Sequence, residues 1–170
     1  RSVGIGQGEL LMTTMQMANM GAMIANRGYY ITPHLLKSYR DSNRDIPEKY
    51  RKRYDVGIDR KHFDPVVNGM ERAVMGGTAR IAYLPDIAIC GKTGTAENTH
   101  GEDHSIFFSF APKEDPQIAI AVYVENAGFG GTYAAPIASL MIEKYIKGDI
   151  RPGRKYLENY ILRADLISKP

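Results

Sequence analysis

Cysteine is almost absent from this chain, and the single Cys90 excludes an internal disulfide framework and a zinc site built from several cysteines. Because Cys90 follows an apolar run, we expect a buried structural thiol. No apolar run is long enough to span a membrane, and no signal peptide is recognisable. The net charge is +3, and the densest basic cluster, Arg51-Lys52-Arg53, fits a solvated loop, so we expect no nucleic-acid partner. The 170 residues are 44% hydrophobic and 24% charged, as in one ordinary globular domain, and this composition does not reveal the compartment.

The most informative stretch is Cys90-Gly91-Lys92-Thr93-Gly94-Thr95, which follows the apolar run Ile87-Ala88-Ile89. An apolar run that leads into polar residues predicts a strand over 87–95. Alternation places Thr93 and Thr95 on one face and Lys92 on the other, and Gly94 leaves room for a second backbone. Two hydroxyls and an ammonium suit a carboxylate ligand. A Thr/Gly turn after a buried strand is the plainer interpretation, and this stretch alone leaves both open.

Three helices are predicted. Thr13 and Gln16 fit a capping box for a helix that ends at Asn26–Gly28, and its apolar residues surround it so completely that we expect burial on several sides, with its methionines as core filler. Asp64 as N-cap and Pro65 open a second helix, which ends at Gly76-Gly77. A third is expected from about Ala135 to Lys147, with Gly148 as its stop. The second helix has an apolar stripe of Val66, Val67, Met70, Ala73 and Val74, and the third one of Ile137, Leu140, Met141, Tyr145 and Ile146.

The remaining patterns predict strands and connections. Ser105–Ala111 and Ile118–Val124 are strand-like and, with the strand over 87–95, predict a three-stranded antiparallel sheet that has the third helix on one face. Glu97–Asp103 is a polar hairpin loop. Tyr29–Leu36 is a short extended segment that Pro33 places at an edge, and Lys37–Lys61 is a surface excursion. Residues 149–170 are a tail, with a helical turn around Tyr156–Leu162.

Three polar clusters have alternative interpretations. His100 and His104 have a spacing that could ligate a metal, but Gly101 argues against a helix there, so we favour a solvated loop and expect no metal. Gly4-Ile5-Gly6-Gln7-Gly8 lacks both the spacing and the preceding strand of a phosphate-binding loop. Asn126–Gly131 either lines a substrate cleft or is only the hinge into the last helix.

Short motifs agree in order and spacing with a known family. They are Gly4-Ile5-Gly6-Gln7-Gly8, Gln16-Met17-Ala18, Gly77-Thr78-Ala79, Lys92-Thr93-Gly94-Thr95, Phe110-Ala111-Pro112 and Val124-Glu125-Asn126. Lys-Thr-Gly is itself a signature of penicillin-binding proteins and β-lactamases. Residues 1–148 resemble the second half of a class B penicillin-binding protein transpeptidase domain, and are most similar to the elongation-type penicillin-binding protein 2 group. The resemblance implies an α+β fold with helices packed on an antiparallel sheet, and the tail from residue 149 contributes nothing to it.

The resemblance implies a function in acyl transfer between peptidoglycan stem peptides, through a serine acyl-enzyme that β-lactam antibiotics also form. Lys92 and Thr95 would be catalytic: Lys92 supplies positive potential, and the Thr95 N–H supplies half of the oxyanion hole. Thr93, Gly94 and Thr95 would bind substrate, with the two hydroxyls on its carboxylate and Gly94 allowing it to pair with the strand edge. No cofactor is implied.

The departures from the family pattern matter equally. None of the seven serines stands in Ser-x-x-Lys or Ser-x-Asn. We therefore expect a fragment that is inactive alone, whose partners include the missing N-terminal half of its domain and the cell-wall elongation machinery. We expect the full-length protein on the periplasmic face of the bacterial inner membrane, anchored by an N-terminal segment that this chain lacks. A D-alanyl-D-alanine carboxypeptidase, a β-lactamase relative and a non-catalytic penicillin-binding sensor or interaction module remain alternatives.

Overall fold

The computed structural model describes residues 9–40 and 44–167, so the motif at residues 4–8 lies outside the described residues. Its core is a three-stranded antiparallel sheet in the order β3-β4-β5, formed by β3 (Cys90–Ala96), β4 (His104–Ala111) and β5 (Ile118–Val124). The helices are α1 (Thr14–Ala25), α2 (Phe63–Met75), α3 (Ala134–Lys147) and α4 (Lys155–Leu162). The predicted α+β sheet and the helix packed on it are confirmed. No helix in these two described ranges is long and apolar enough to cross a membrane.

Two apolar layers hold helices on opposite faces of the sheet. One layer joins Phe107 of β4 to Ala138 and Ile142 of α3. The other joins Phe110 of β4 to residues of α1 and α2 such as Ile24. Residues that face each other across a ladder share a face, and β-sheet alternation therefore assigns each position of β3 to one layer. Thr93, which pairs with Phe107, lies on the α3 face, whereas Cys90, which pairs with Phe110, lies on the α1 face.

The first helix begins as predicted but is less buried than expected. Thr13 accepts a hydrogen bond from the Gln16 N–H at 3.2 Å, and the Gln16 side chain accepts from the Thr13 N–H at 2.8 Å. Only Gly21, Ile24 and Ala25 of α1 are buried, and 57% of Met15 is exposed. The expectation of burial on several sides is wrong within the described residues, because the side of α1 that carries Gly21, Ile24 and Ala25 packs on the core while Met15 faces outward.

The second helix and the first strand differ from their predicted starts. Helix α2 starts at Phe63, after a 3-10 turn at Arg60–His62, so Asp64 is in the first turn and is not the N-cap. The 5% exposed Phe63 is drawn into the core, which moves the start. The strand predicted from residue 87 starts at Cys90, because Leu84 and Ile87 form an isolated bridge across a tight turn.

The predicted apolar face of the third helix is only partly right, because Leu140 is buried and Ile146 packs against the core, but two other predicted residues face outward. Met141 is 53% exposed and Tyr145 is 63% exposed, whereas Ala134, Ala135, Ala138 and Ile142 are fully buried. Small side chains let α3 approach the sheet closely, so the alanine side, together with Ile142, faces the core, whereas Met141 and Tyr145 face outward.

The polar excursion contains a strand that the sequence did not predict. Residues Arg53–Asp55 form β2, which pairs antiparallel with β1 (Tyr29–Ile31), so that Tyr30 lies opposite Tyr54. The two rings stack with centroids 5.4 Å apart. The extended segment is shorter than predicted, because residues 32–36 fall outside β1.

Candidate functional site

The predicted site residues lie on an edge strand. Lys92, Thr93, Gly94 and Thr95 pair in register with Phe108, Phe107, Ile106 and Ser105 of β4. Within the described ranges β3 pairs only with β4, so its other edge presents backbone groups on which an extended ligand could add as a strand. Lys92 is exposed and the other three are half-buried.

A hydroxyl pair fixes the threonine next to Lys92. The Oγ1 atoms of Thr78 and Thr93 lie 2.8 Å apart, and either can donate the hydrogen bond. The Lys92 ammonium donates to the Thr93 carbonyl at 2.7 Å. Thr78 reaches this point because the chain doubles back at the end of α2: a methyl on Gly77 would lie 2.9 Å from the Ala73 Cα. The sequence marked Thr78 only as part of a motif, and its site contact is new.

The loop before α3 packs directly on β3. A methyl on Gly130 would lie 2.4 Å from the carbonyl oxygens of both Gly94 and Ile106, so only glycine allows this backbone-to-backbone contact. Ser105 fastens the loop by donating to the Phe129 carbonyl at 2.9 Å and accepting from the Ala134 N–H at 3.2 Å. The loop therefore lies against the site strand and also leads into α3.

The polar residues around the β3–β4 loop form their own network. The Asn98 amide donates to the Asn126 Oδ1 atom at 2.7 Å, and the Asn126 N–H donates to the His104 Nδ1 atom at 3.1 Å. His100 instead hydrogen-bonds Thr99 at 2.9 Å. Among the described residues, no group of three or more His, Cys, Asp or Glu could hold a metal ion. His104 is thus engaged in holding the start of the 126–131 loop.

A groove of about 890 Å³ begins at the site strand on the α1 face. Gly94 and Ala96 of β3 line one end of it, and the rest of the lining is largely apolar, including Met17, Met20 and Phe108. The groove is where a part of the protein or a ligand could contact β3 from the α1 side.

Two titratable groups near the strand, Cys90 and Lys113, have raised pKa values. Burial raises the pKa of the Cys90 thiol to about 12, and the Glu71 carboxylate adds to the rise. Lys113 donates to Glu71 at 2.8 Å, and this bond raises the pKa of Lys113. Cys90 is fully buried, as predicted, and cannot act as a nucleophile at neutral pH.

The serines on strand β4 and on helix α3 are buried. Ser105, Ser109 and Ser139 are 0% exposed, so none of these three can meet a substrate. The arrangement can bind an extended, carboxylate-bearing ligand, but an acyl transfer at this site needs a nucleophile from another part of the protein.

Comparison with known proteins gives the family of the chain. The transpeptidase family, described as the penicillin binding protein transpeptidase domain, matches residues 1–143. Similar curated proteins include a peptidoglycan D,D-transpeptidase MrdA of Acinetobacter baumannii, 31% identical over 97% of this chain and 27% of the relative. Another is a peptidoglycan D,D-transpeptidase PbpA of Mycobacterium tuberculosis, 33% identical over 85% of this chain and 31% of the relative.

Solved structures give the same result. Pseudomonas aeruginosa PBP2 in complex with WCK 5153 is 37% identical with a TM-score of 0.73, over 89% of this chain and 34% of that chain. The imipenem acyl-enzyme complex of penicillin-binding protein A from M. tuberculosis is 29% identical with a TM-score of 0.72, over 85% of this chain and 33% of that chain. This chain thus spans about a third or less of the relatives it matches. The chain belongs to the penicillin-binding protein transpeptidase family.

Proposed function

We propose that the full-length protein containing this chain is a serine-type peptidoglycan D,D-transpeptidase that β-lactams acylate, and that this chain supplies the strand side of its active site. The observation that carries the proposal is Lys92-Thr93-Gly94-Thr95 on an edge strand, braced by Thr78 and by the Gly130 loop. The names of the relatives support the reaction class.

Each residue of the strand has a separate task. The Lys92 ammonium attracts the substrate carboxylate, and the Thr93 and Thr95 hydroxyls bind it with charge-assisted hydrogen bonds. The Thr95 N–H donates to the oxygen that becomes negative as the carbonyl is attacked, and a donor of this kind contributes about 2.7–4 kcal/mol in related sites. Gly94 has no side chain, so the substrate backbone can lie close against the strand.

The reaction itself is an acyl exchange. A serine outside this chain attacks the carbonyl between two D-alanines, its proton passes to the departing D-alanine amine, and an acyl-enzyme forms. An amine of a neighbouring stem peptide then attacks the ester, and the serine regains its proton as the cross-link forms. A β-lactam acylates the same serine, because its ring amide takes the place of the D-Ala-D-Ala bond.

The nucleophile would be carried by the N-terminal half of the transpeptidase domain. The groove beside β3 and the exposed side chains next to it fit that role: Leu10 is 51%, Leu11 89% and Met15 57% exposed. An apolar surface of this kind is typical of an interface. The proposal therefore seats the other half of the domain on α1 and the residues before it.

The proposed cellular role rests on the resemblance of the motifs to those of elongation-type penicillin-binding protein 2. We infer from that resemblance an enzyme of cell elongation and cell shape that works with the cell-wall elongation machinery. The proposed location is the periplasmic face of the bacterial inner membrane, held by an N-terminal anchor, where stem peptides are accessible.

The test is the rate at which a reporter penicillin acylates the full-length protein. Thr95→Ala removes one charge-assisted hydrogen bond and should slow acylation roughly tenfold to hundredfold, the equivalent of about 1.5–3 kcal/mol. Lys92→Ala should be at least as slow, because the charge is lost from the cleft. The matched controls are Thr32→Ala and Lys61→Ala, which should acylate at the parent rate. The Lys61 side chain is 72% exposed.

Two results would overturn the proposal. Parent-rate acylation of both Thr95→Ala and Lys92→Ala, with unchanged melting temperatures, would reduce the strand to a turn without function. Rapid acylation without transfer to any amine acceptor would favour a carboxypeptidase or β-lactamase, and no acylation of the parent protein would favour a non-catalytic module.

A further inference from the structure

A second cavity, of about 700 Å³, lies between the start of α3 and α4, away from the groove beside β3. Its walls include the rings of Tyr133, Tyr156 and Tyr160 and the polar side chains of Asn159 and Arg163. This volume and this mixture of aromatic walls with a few polar groups are typical of small-ligand sites. Neither the motifs nor the proposed reaction uses these residues.

The aromatic wall is ordered and partly open. The rings of Tyr133 and Tyr160 stack with centroids 5.5 Å apart and planes 11° apart. Tyr156 lies one helical turn before Tyr160 and hence on the same side of α4. Tyr156 is 63% exposed and Tyr160 44% exposed, so ring surface is available to a ligand.

The wall is also held in place without a ligand. The buried Glu143 carboxylate of α3 accepts from Arg151 Nε at 2.5 Å and from Arg154 Nη1 at 2.8 Å, just before α4 begins. Leu157 of α4 packs on Leu140 of α3 in a small apolar cluster. A ligand therefore meets preformed walls and loses little affinity to ordering them.

The cavity is connected to the site strand by one short loop. Tyr133 directly precedes Ala134, whose N–H donates to the Ser105 hydroxyl at 3.2 Å. Ser105 is the register partner of Thr95. Tyr133 of the cavity wall is therefore linked to Thr95 of the site strand through Ala134 and Ser105.

We propose that this cavity binds an N-acetylhexosamine unit of a glycan strand. A pyranose ring has an apolar C–H face that packs on tyrosine rings, and its hydroxyl and acetamido edges match the Asn159 amide and the Arg163 guanidinium. Peptidoglycan stem peptides are attached to such a glycan, so the inference rests on the proposed function and adds a subsite for the sugar backbone of the substrate.

The test measures binding of a β-1,4-linked N-acetylglucosamine trimer, which carries no peptide, to the full-length protein by saturation-transfer NMR and titration calorimetry. Tyr156→Ala should weaken binding roughly three- to tenfold, the loss expected for one ring face. Tyr145→Ala is the matched control, because Tyr145 is also 63% exposed but lies on α3 outside the cavity, and it should bind like the parent. Tyr160→Phe keeps the stacked ring and should lose less than Tyr156→Ala.

The outcomes separate this inference from the proposed function. If the trimer does not bind, or if Tyr145→Ala weakens it as much as Tyr156→Ala, the sugar site is refuted even where penicillin acylation is normal. If Thr95→Ala slows acylation but leaves trimer binding unchanged, and Tyr156→Ala does the reverse, the two sites are distinct and the inference stands. Trimer binding by a protein that no penicillin acylates would support the cavity and refute the proposed reaction.

Discussion

The buried carboxylate of Glu143 offers the most demanding test of how the C-terminal segment is held. Its side chain is 1% exposed and pairs with Arg151 and with Arg154, whose side chains are 33% and 9% exposed. Arg154 also donates to the Ser139 hydroxyl at 2.7 Å. Glu143→Gln keeps the size of the side chain but leaves the buried guanidinium of Arg154 without a counter-charge. Loss of one partner from a buried pair costs about 3–5 kcal/mol, so we expect this decrease in the free energy of unfolding.

The assay is thermal and urea unfolding at pH 7, followed by circular dichroism. At about 2–4 °C per kcal/mol for a folding unit of this size, the melting temperature should fall by roughly 6–20 °C. Glu114→Gln is the control: Glu114 is 85% exposed and lies 3.9 Å from the Lys113 ammonium, and exposed pairs contribute about 0–1 kcal/mol. The double variant Glu143→Leu with Arg154→Met should recover most of the loss, since replacing both partners removes the unpaired charge. Equal melting temperatures for Glu143→Gln and Glu114→Gln would refute the assignment.

Two substitutions and one labelling experiment test the packing of the core, the stability at acid pH and the accessibility of the Cys90 thiol. Gly91→Ala should reduce stability by about 1–3 kcal/mol in urea unfolding, because the added methyl would lie 2.3 Å from the Phe107 ring; parent stability would contradict the packing. Hydrogen bonds from Arg151 and then from Lys147 lower the pKa of Asp86 to about 2. The stability that Asp86 contributes is therefore present above its ordinary pKa of 3.8 and is lost as pH falls towards 2. Asp86→Asn should make the free energy of unfolding depend less on pH over that window. An unchanged slope would count against this role of Asp86. Cys90, whose pKa is about 12, should react with a thiol reagent at pH 8 only as fast as the protein unfolds, and rapid labelling of the native protein would show that it is accessible.

Local signals were sufficient where one short segment determines an element. The β5 strand has the predicted bounds, because Ile118–Val124 is an unbroken strand-forming run between turn residues. The Thr13–Gln16 capping box formed as predicted, because both of its hydrogen bonds join residues three positions apart. Lys92–Thr95 lies on a strand, as predicted, because an apolar run leads directly into it.

Contacts between segments that lie far apart in the sequence could not be predicted from the sequence. The buried face of α3 was predicted only in part, because hydrophobicity favours Met141, whereas close packing favours the small Ala138. Glu143 reads as a surface residue until Arg151 and Arg154 fold back over it. In the same way, nothing in the sequence pairs the hydroxyl of Thr78 with that of Thr93.

The sequence separation between paired residues also bears on how the chain folds. Cys90 pairs with Phe110, 20 positions away, and Ser105 with Val124, 19 positions away, and these are the longest separations in the two ladders of the three-stranded sheet. Gly21 of α1, by contrast, approaches Ala119 across most of the chain. Local pairings close quickly and long-range ones slowly, so we expect the strand that carries Lys92–Thr95 to form in the folding nucleus and α1 to dock afterwards. Substitutions in the sheet should then slow refolding, whereas substitutions in α1 should chiefly accelerate unfolding.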